Sequence, residues 1–506
     1  LRQVLTIKRL DSGLNLDQTP EQIRDSECSL ADNVEFYRGE VRKARNFSLF
    51  SSSQFSEPVT FIDQFFDLSK GIHFFAFTPN HIYKSVDDGA TWTEVTPDSG
   101  ITGATIKDRW TSVQFPYTDG LGNFHDAYVV TNFASGILKY EPGDTNFSVL
   151  PGTETIKAAT VSAYHNYLVL GRLEEDAVFF PQRVRWSDTG NAEVWDSGNA
   201  GYLDLIETAD WIVGFATLRG TLYVFKERSI WRFYYRGSPD RLFIPELVVD
   251  GIGARSADAL ISIGDRIVFL GWDNIYEFDG VRVAPIGDEV QPELFGPDST
   301  LNEDFTDAFW SIFLEERSEL WTFFVRNPNE SPDVCYRFNT ADRSWSRLLV
   351  GFTGGGYYVS APLQEVWSTA TATWEEATYQ WISQNLTGGK PLTLFGAEDG
   401  NIYTLDVYPL EQTTEFRTKN FVFDIPQRVF SARILGRGTF TASYSIDGGA
   451  TWLGTKTFTI GSLARWVRLP VNRVTNRLML RVTIPESEEG AISRLEIEVS
   501  PRSRLS

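Results

Sequence analysis

The sequence is poor in the residues that carry most metal and nucleophilic chemistry. Among 506 residues there are four histidines, His73, His81, His125 and His165, each isolated and without the H-x-x-x-H or H-E-x-x-H spacing of a zinc site. They read as strand or turn residues, and no metal ligand is expected among them. The two cysteines, Cys28 and Cys335, stand too far apart in sequence for a metal knuckle or a small-domain disulfide framework, and read as buried free thiols. No apolar run of about 18 residues occurs, so no membrane-spanning segment is expected. The opening LRQVLTIKRLDSGLNL also lacks the apolar centre of an export signal. A G-x-S-x-G elbow, a G-x-x-x-x-G-K-[ST] loop and an EF-hand loop are all missing, and Gly354-Gly355-Gly356 is not followed by the lysine of a phosphate cradle. These absences lead to the expectation of a non-enzyme without cofactor, although a site assembled from distant segments leaves no local motif.

Basic charge is short as well. With 46 Lys and Arg against 67 Asp and Glu, the net charge is −21, which argues against binding nucleic acid through a continuous basic surface. The deficit is uneven: residues 411–506 carry 14 basic and 9 acidic residues, a net +5, which leaves −26 on residues 1–410. Two parts of different electrostatic character share one chain.

What the sequence has in quantity is aromatic residues, 15 Trp, 19 Tyr and 37 Phe, a composition that favours strands over helices. The length exceeds one ordinary core and allows two to four units unless a repeat joins them. A faint repeat is present, in which an apolar strand, a polar turn and a second strand ending in an aromatic recur. Its seven instances start at His73, Asp126, Asn166, Gly220, Asp265, Ser318 and Pro391, and most are spaced by 40 to 54 residues. That is the length of a four-stranded propeller blade. The expected fold is therefore all-β: a β-propeller of six to eight blades, seven by this count, with a C-terminal β-sandwich. An N-terminal arm with the first strands occupies 1–50, the propeller 51–410 with an insertion near 350–390, and the sandwich 411–506, where about eight short alternating strands are expected. Only Gln18 to Val34, with Pro20 and Asp25 as start signals, hints at a helix.

The sharpest local signal occurs twice. Ser85-Val86-Asp87-Asp88-Gly89-Ala90-Thr91-Trp92 and Ser445-Ile446-Asp447-Gly448-Gly449-Ala450-Thr451-Trp452 both match S-x-D-x-G-x-T-W, the Asp-box. Its residues suit a tight hairpin: Gly89 and Gly449 supply positive φ, the Asp carboxylate accepts nearby N–H groups, and Trp92 and Trp452 can fold back over the turn. The motif also occurs in sialidases, but no Arg-Ile-Pro segment accompanies it, and one copy lies in the expected sandwich. A hairpin lock is the reading taken, with no catalytic, cofactor-binding or metal residues assigned.

Glu486-Ser487-Glu488-Glu489 and the stretch from Asp288 to Asp307, with seven acidic residues, could ligate a divalent cation but read better as solvated loops. The series Arg465, Arg468, Arg473, Arg477 and Arg481 has mixed spacing, and reads equally as a subunit contact with an acidic neighbour or as ordinary solubility.

The N-terminal stretch carries a family resemblance. Ser12-Gly13-Leu14-Asn15, Thr19-Pro20, Ile23, Asp25-Ser26-Glu27, Ala31-Asp32-Asn33-Val34 and Gly39-Glu40-Val41-Arg42-Lys43-Ala44 resemble the opening of tailed-bacteriophage propeller proteins: a Gly-Leu-Asn start, an acidic short helix, an Asn-Val strand and a basic turn. Trp186-Ser187-Asp188, Asp210 to Tyr223, Ser229 to Tyr234, Gly251 to Asp258, Phe269-Leu270-Gly271-Trp272 and Ile275-Tyr276-Glu277-Phe278-Asp279-Gly280 are similar to the same group, over about residues 10 to 290. In layout the chain most resembles the tail hub or nozzle of short-tailed phages. The resemblance implies a structural virion protein, assembled in the host cytoplasm into a homo-oligomeric ring, usually of six copies, in the virion tail. Its implied partners are the tail adaptor, other tail proteins and tail fibres, with genome DNA passing through the channel without sequence-specific binding. The alternative class is a receptor-facing glycan-binding or sialidase-like propeller, and a cellular scaffold is a third.

Overall fold

The computed structural model describes residues 3–68, 71–238, 241–359 and 391–501, so the insertion expected near 350–390 falls almost wholly outside the described residues. The chain is all-β, with short helical turns at Ala257–Ala259, Gln291–Phe295, Glu303–Ala308 and Glu315–Arg317. Each of the seven repeat segments forms an antiparallel strand pair, from Ile72–Phe77 with Ile82–Ser85 to Leu392–Gly396 with Ile402–Pro409. In the first six an outer strand on each side completes a four-stranded meander. The described residues group into two compact units. One holds Leu1–Phe47, Ala254–Gly351 and Leu405–Ser506; the other holds Ser48–Gly253 and Phe352–Thr404.

In the second unit the apolar residues lie between the faces of consecutive meanders. Phe65, Phe75, Phe77 and Ile82 of the first pack on Tyr128, Val130, Leu138 and Tyr140 of the next. Phe115, Ala127 and Val129 then pack on Ala158, Leu168 and Leu170, and Tyr167, Val169 and Val184 on Ile212, Leu222 and Val224. The last meander closes back on the first through Ile62, Phe74 and Ala76 against Tyr358, Leu394 and Ile402. Its outer place is filled from the N-terminal side, where the Phe50 N–H donates to the Ile402 carbonyl at 2.9 Å.

Leading strands of successive meanders run close together. Gly355 bridges Phe61, and the neighbouring glycines explain the closeness: a Cβ on Gly354 would meet the Thr60 carbonyl at 1.9 Å, and one on Gly356 the Ile62 carbonyl at 1.8 Å. The Gly354-Gly355-Gly356 run is therefore a packing device. The buried Arg109 guanidinium ties the same place, donating to the carbonyls of Thr353 (2.8 Å) and Thr60 (3.1 Å).

The first unit contains two further meanders, Leu260–Ile263 through Val283–Pro285 and Trp310–Leu314 through Ser344–Leu348. A large sheet continues from the second of these through Cys28–Asp32 and Thr414–Thr418 to Leu453–Ile484, Phe421–Ser445 and Gly490–Pro501. After residue 410 the short strand Thr414–Thr418 is followed by three longer ones, and within Phe421–Ser445 and Leu453–Ile484 the expected short strands run together through bulges rather than loops. Strand Gly490–Pro501 alternates buried Leu495, Ile497 and Val499 with Arg494, Glu496 and Glu498, the period of a half-buried strand. The N-terminal arm joins this sheet, Gln3–Ile7 along Gly490–Pro501 and Cys28–Asp32 along Thr414–Thr418.

The helix suggested for Gln18 to Val34 is not formed. That stretch has turns and then strands Cys28–Asp32 and Val34–Tyr37, because the backbone of residues 28–32 finds its partners on residues 415–418, an option no local signal reveals. The glycine start has a definite role. Gly13 has φ +92°, a Cβ there would lie 2.7 Å from the Trp345 amide nitrogen, and the Leu14 N–H donates to the Trp345 carbonyl at 2.8 Å.

Candidate functional site

The two Asp-box hairpins, one in each unit, share one hydrogen-bond pattern. In the first, the Ser85 hydroxyl donates to Asp87 Oδ1 (2.9 Å) and accepts from the Gly89 N–H (2.9 Å), while Asp87 Oδ1 also accepts from the Thr91 N–H (2.8 Å). In the second, Ser445 donates to Asp447 Oδ1 (2.6 Å) and accepts from Gly449 N–H (2.8 Å), and the Thr451 N–H donates to Asp447 Oδ1 (2.9 Å). The Thr91 and Thr451 hydroxyls take the second carboxylate oxygens. Gly89 and Gly449 have φ of +86° and +97°, the left-handed backbone the turn demands. Both carboxylates are exposed and acid-shifted. For Asp87 the Thr91 hydroxyl is the main cause; for Asp447 the Ser445 hydroxyl, followed by Thr451, brings the pKa to about 2.

The tryptophans cap the hairpins in different ways. Trp92 packs on Phe74 and Phe55, with centroids 4.9 and 5.5 Å away, and its indole N–H donates to Ser51. The guanidinium groups of Arg481 and Arg417 lie 4.6 and 5.5 Å from the Trp452 ring centroid. Tyr358 donates to Asp88, fastening the first hairpin to the last meander of its unit. Every acceptor of the two Asp residues is engaged inside its own hairpin, so the motif does the work of a turn lock.

No family model matches the chain, and no curated relative does. Among solved structures it is similar to the computationally designed Ika8 protein, with 9% identity and a TM-score of 0.37 over 71% of this chain and 99% of that one. It is also similar to a quinonprotein alcohol dehydrogenase-like protein from Bacteroides thetaiotaomicron, with 12% identity and a TM-score of 0.34 over 56% of this chain and 65% of that one. Both likenesses are too distant to bear on function.

The other residues singled out in the sequence are dispersed. His73 pairs with Asp67, His81 with Glu94, and His125 with Glu141 and Asp119, while His165 stacks on Tyr235. Cys28 and Cys335 are both buried and free, and burial pushes both thiols well up. Among the described residues no group of three or more His, Cys, Asp or Glu is placed to hold a metal ion. At the acidic Glu486 loop, the Pro485 and Glu486 carbonyls accept from the Lys43 ammonium at 2.7 and 2.6 Å.

Sequence reasoning missed the buried charges. Glu35 is bonded to Arg42 (2.7 Å) and to Arg317, which also reaches Glu319 (3.2 Å). Burial alone would push the Glu35 carboxyl up, but Arg317 and Arg42 outweigh it and hold it below the usual range. Arg347 joins Asp32 (2.7 Å) to Glu293 in the same unit. In the other unit the fully buried Lys226 ammonium meets Asp210 (3.0 Å), the Leu205 and Thr208 carbonyls and the Thr208 hydroxyl. No local spacing signals these ties, because partners such as Glu35 and Arg317 stand 282 residues apart.

Proposed function

We propose that this chain is a structural virion protein, a tail hub or nozzle ring that extends the tail tube of a short-tailed bacteriophage and retains or guides its DNA during ejection. The observation that carries the reading is the internal satisfaction of both Asp-boxes. The motif shared with glycosidases spends its carboxylates on its own turns, and buried Glu35 and Asp210 are held by arginine and lysine. The propeller reading is supported by the seven strand pairs in series and, within the second unit, by apolar layers that pass from meander to meander. A sandwich over residues 411–506, whose strands share a sheet with the N-terminal arm, completes the proposed architecture.

The residues that carry the phage-type resemblance support a scaffold role. Gly13 and Leu14 fasten the arm to Trp345, Asn33 bonds the Thr413 carbonyl (3.0 Å) and the Leu349 N–H (2.9 Å), and Arg42 neutralises buried Glu35. The net −26 of residues 1–410 suits a channel wall that does not hold passing DNA. Light scattering behind a sizing column, with negative-stain images, tests the proposal: a closed ring of about six copies supports it. A stable monomer that never joins tail particles sinks it.

One feature favours a glycan-binding reading. Phe179 and Trp211 are 41% and 47% exposed with ring centroids 5.3 Å apart, and Phe133 lies against Phe179. Saturable binding on a glycan array, lost in Trp211→Ala, would move the assignment there.

A further inference from the structure

The arginine series separates in three dimensions. Arg481 belongs to the second Asp-box, over Trp452 and donating to the Ser443 hydroxyl at 3.2 Å. Arg465, Arg468, Arg473 and Arg477 instead lie along one exposed stretch of strand Leu453–Ile484. Over residues 456–477 this strand has ladder partners only on Phe421–Ser445, and its other edge is unpaired among the described residues. Residues 461–466 are exposed without interruption, and the ladder skips residues 461–464 as a bulge opposite Arg437.

Three properties of this edge point outward. Leu463, Val474 and Trp466 are 75%, 50% and 37% exposed, so apolar side chains sit between the arginines. From Gly448 to Pro485 the sequence holds six basic residues and no acidic one. Arg465 and Arg473 make no ion pair among the described residues, and Arg468 and Arg477 make only long ones, 3.3 Å to Glu498 and 3.7 Å to Glu21, with side chains 59% and 48% exposed. An open strand edge is a docking template, and its charge decides what docks.

We propose that this edge is a subunit contact, and that its occupant is an acidic surface of a second copy of this chain. Pairing with the same edge of another copy would set four arginines against four, so a two-fold contact is disfavoured. Residues 1–410, with net −26, supply the complement, and a contact between unlike surfaces propagates head to tail and closes into a ring when the rotation allows. Nucleic acid is the weaker fit, since the chain as a whole carries −21. The inference rests on the ring reading above and names the surface that builds it.

The test uses the full chain, with mass measured by light scattering from about 0.05 M to about 0.5 M salt. The wild type is expected to form a multimer that loosens as salt rises. Arg465→Glu with Arg468→Glu should weaken association by at least about tenfold, as should Leu463→Asp, while Arg465→Lys with Arg468→Lys should keep it. Matching circular dichroism and melting curves verify that each variant folds. A wild-type ring that both disrupting variants leave intact overturns this edge as the contact and spares the ring reading; a monomeric wild type at all salts overturns both. A monomer whose arginine edge retains labelled duplex DNA, lost on charge reversal, assigns the edge to nucleic acid instead.

Discussion

The Arg109 guanidinium donates to the Thr353 carbonyl at 2.8 Å, joining positions 244 residues apart. The same group reaches the Thr60 carbonyl at 3.1 Å, so one buried side chain ties together the leading edges of the first and last meanders of its unit. Two strands that approach through glycine leave no side chain between them, and the arginine donates to a carbonyl on each side of the approach.

Arg109→Ala removes two hydrogen bonds to buried residues' carbonyls and is expected to cost about 3 kcal/mol. Arg109→Lys, which keeps the charge but can reach fewer acceptors, should lose less. Urea unfolding followed by tryptophan fluorescence checks both, and equal losses would mean that packing, not hydrogen bonding, is what Arg109 provides.

Gly356→Ala forces a Cβ to within 1.8 Å of the Ile62 carbonyl unless the strands part. The expected cost is about 1–3 kcal/mol or more. Gly461→Ala meets nothing within 4 Å and should stay within about 0.5 kcal/mol of wild type. Thermal melts of the two variants side by side decide it, and similar midpoints would refute the close approach.

The second Asp-box gives a pH signature. Asp447 is held at about 2 in the folded chain, below the roughly 3.9 of an unfolded aspartate. Its contribution is therefore whole above about pH 4 and fades as pH falls to about 2. The melting difference between wild type and Asp447→Asn should be constant from about pH 5 to 7 and shrink toward zero near about pH 2. A difference that survives at the lowest pH would show that geometry, not carboxylate charge, locks the hairpin.

Lys226 and Asp210 form a buried pair in which neither partner is readily replaced alone. Lys226→Ala strands the Asp210 carboxylate, which also accepts from the Arg228 N–H and the Ser229 hydroxyl, each at 2.9 Å. The expected loss is about 3–5 kcal/mol. Pairing Lys226→Met with Asp210→Asn should recover part of it, measured by a double-mutant cycle; a strictly additive result would mean that the two groups act independently.

Much of the local structure was legible because its signals are local. Seven repeat segments were marked by apolar runs ending in aromatics, and each became a strand pair. Ser85, Asp87 and Thr91, like Ser445, Asp447 and Thr451, lie within seven residues of one another, so the turn that joins them was written in their spacing. The expected helix at Gln18 to Val34 failed because its start signals compete with a strand partner nearly 400 residues away, near Thr418. The eight short C-terminal strands failed for a related reason: bulges, unlike loops, leave no break in alternation that a reader of the sequence can count.

By itself the sequence determined that the chain would be built of strands, where its repeated pairs would fall, and how its two Asp-box turns would close, since each depends on residues close in the chain. The tertiary structure alone decided which strands became neighbours, that the arm ending near Lys43 would share a sheet with Gly490–Pro501, and which charges would be buried. A buried charge is tolerated only beside its partner, and that partner is chosen by the packing of the whole unit, not by distance along the chain.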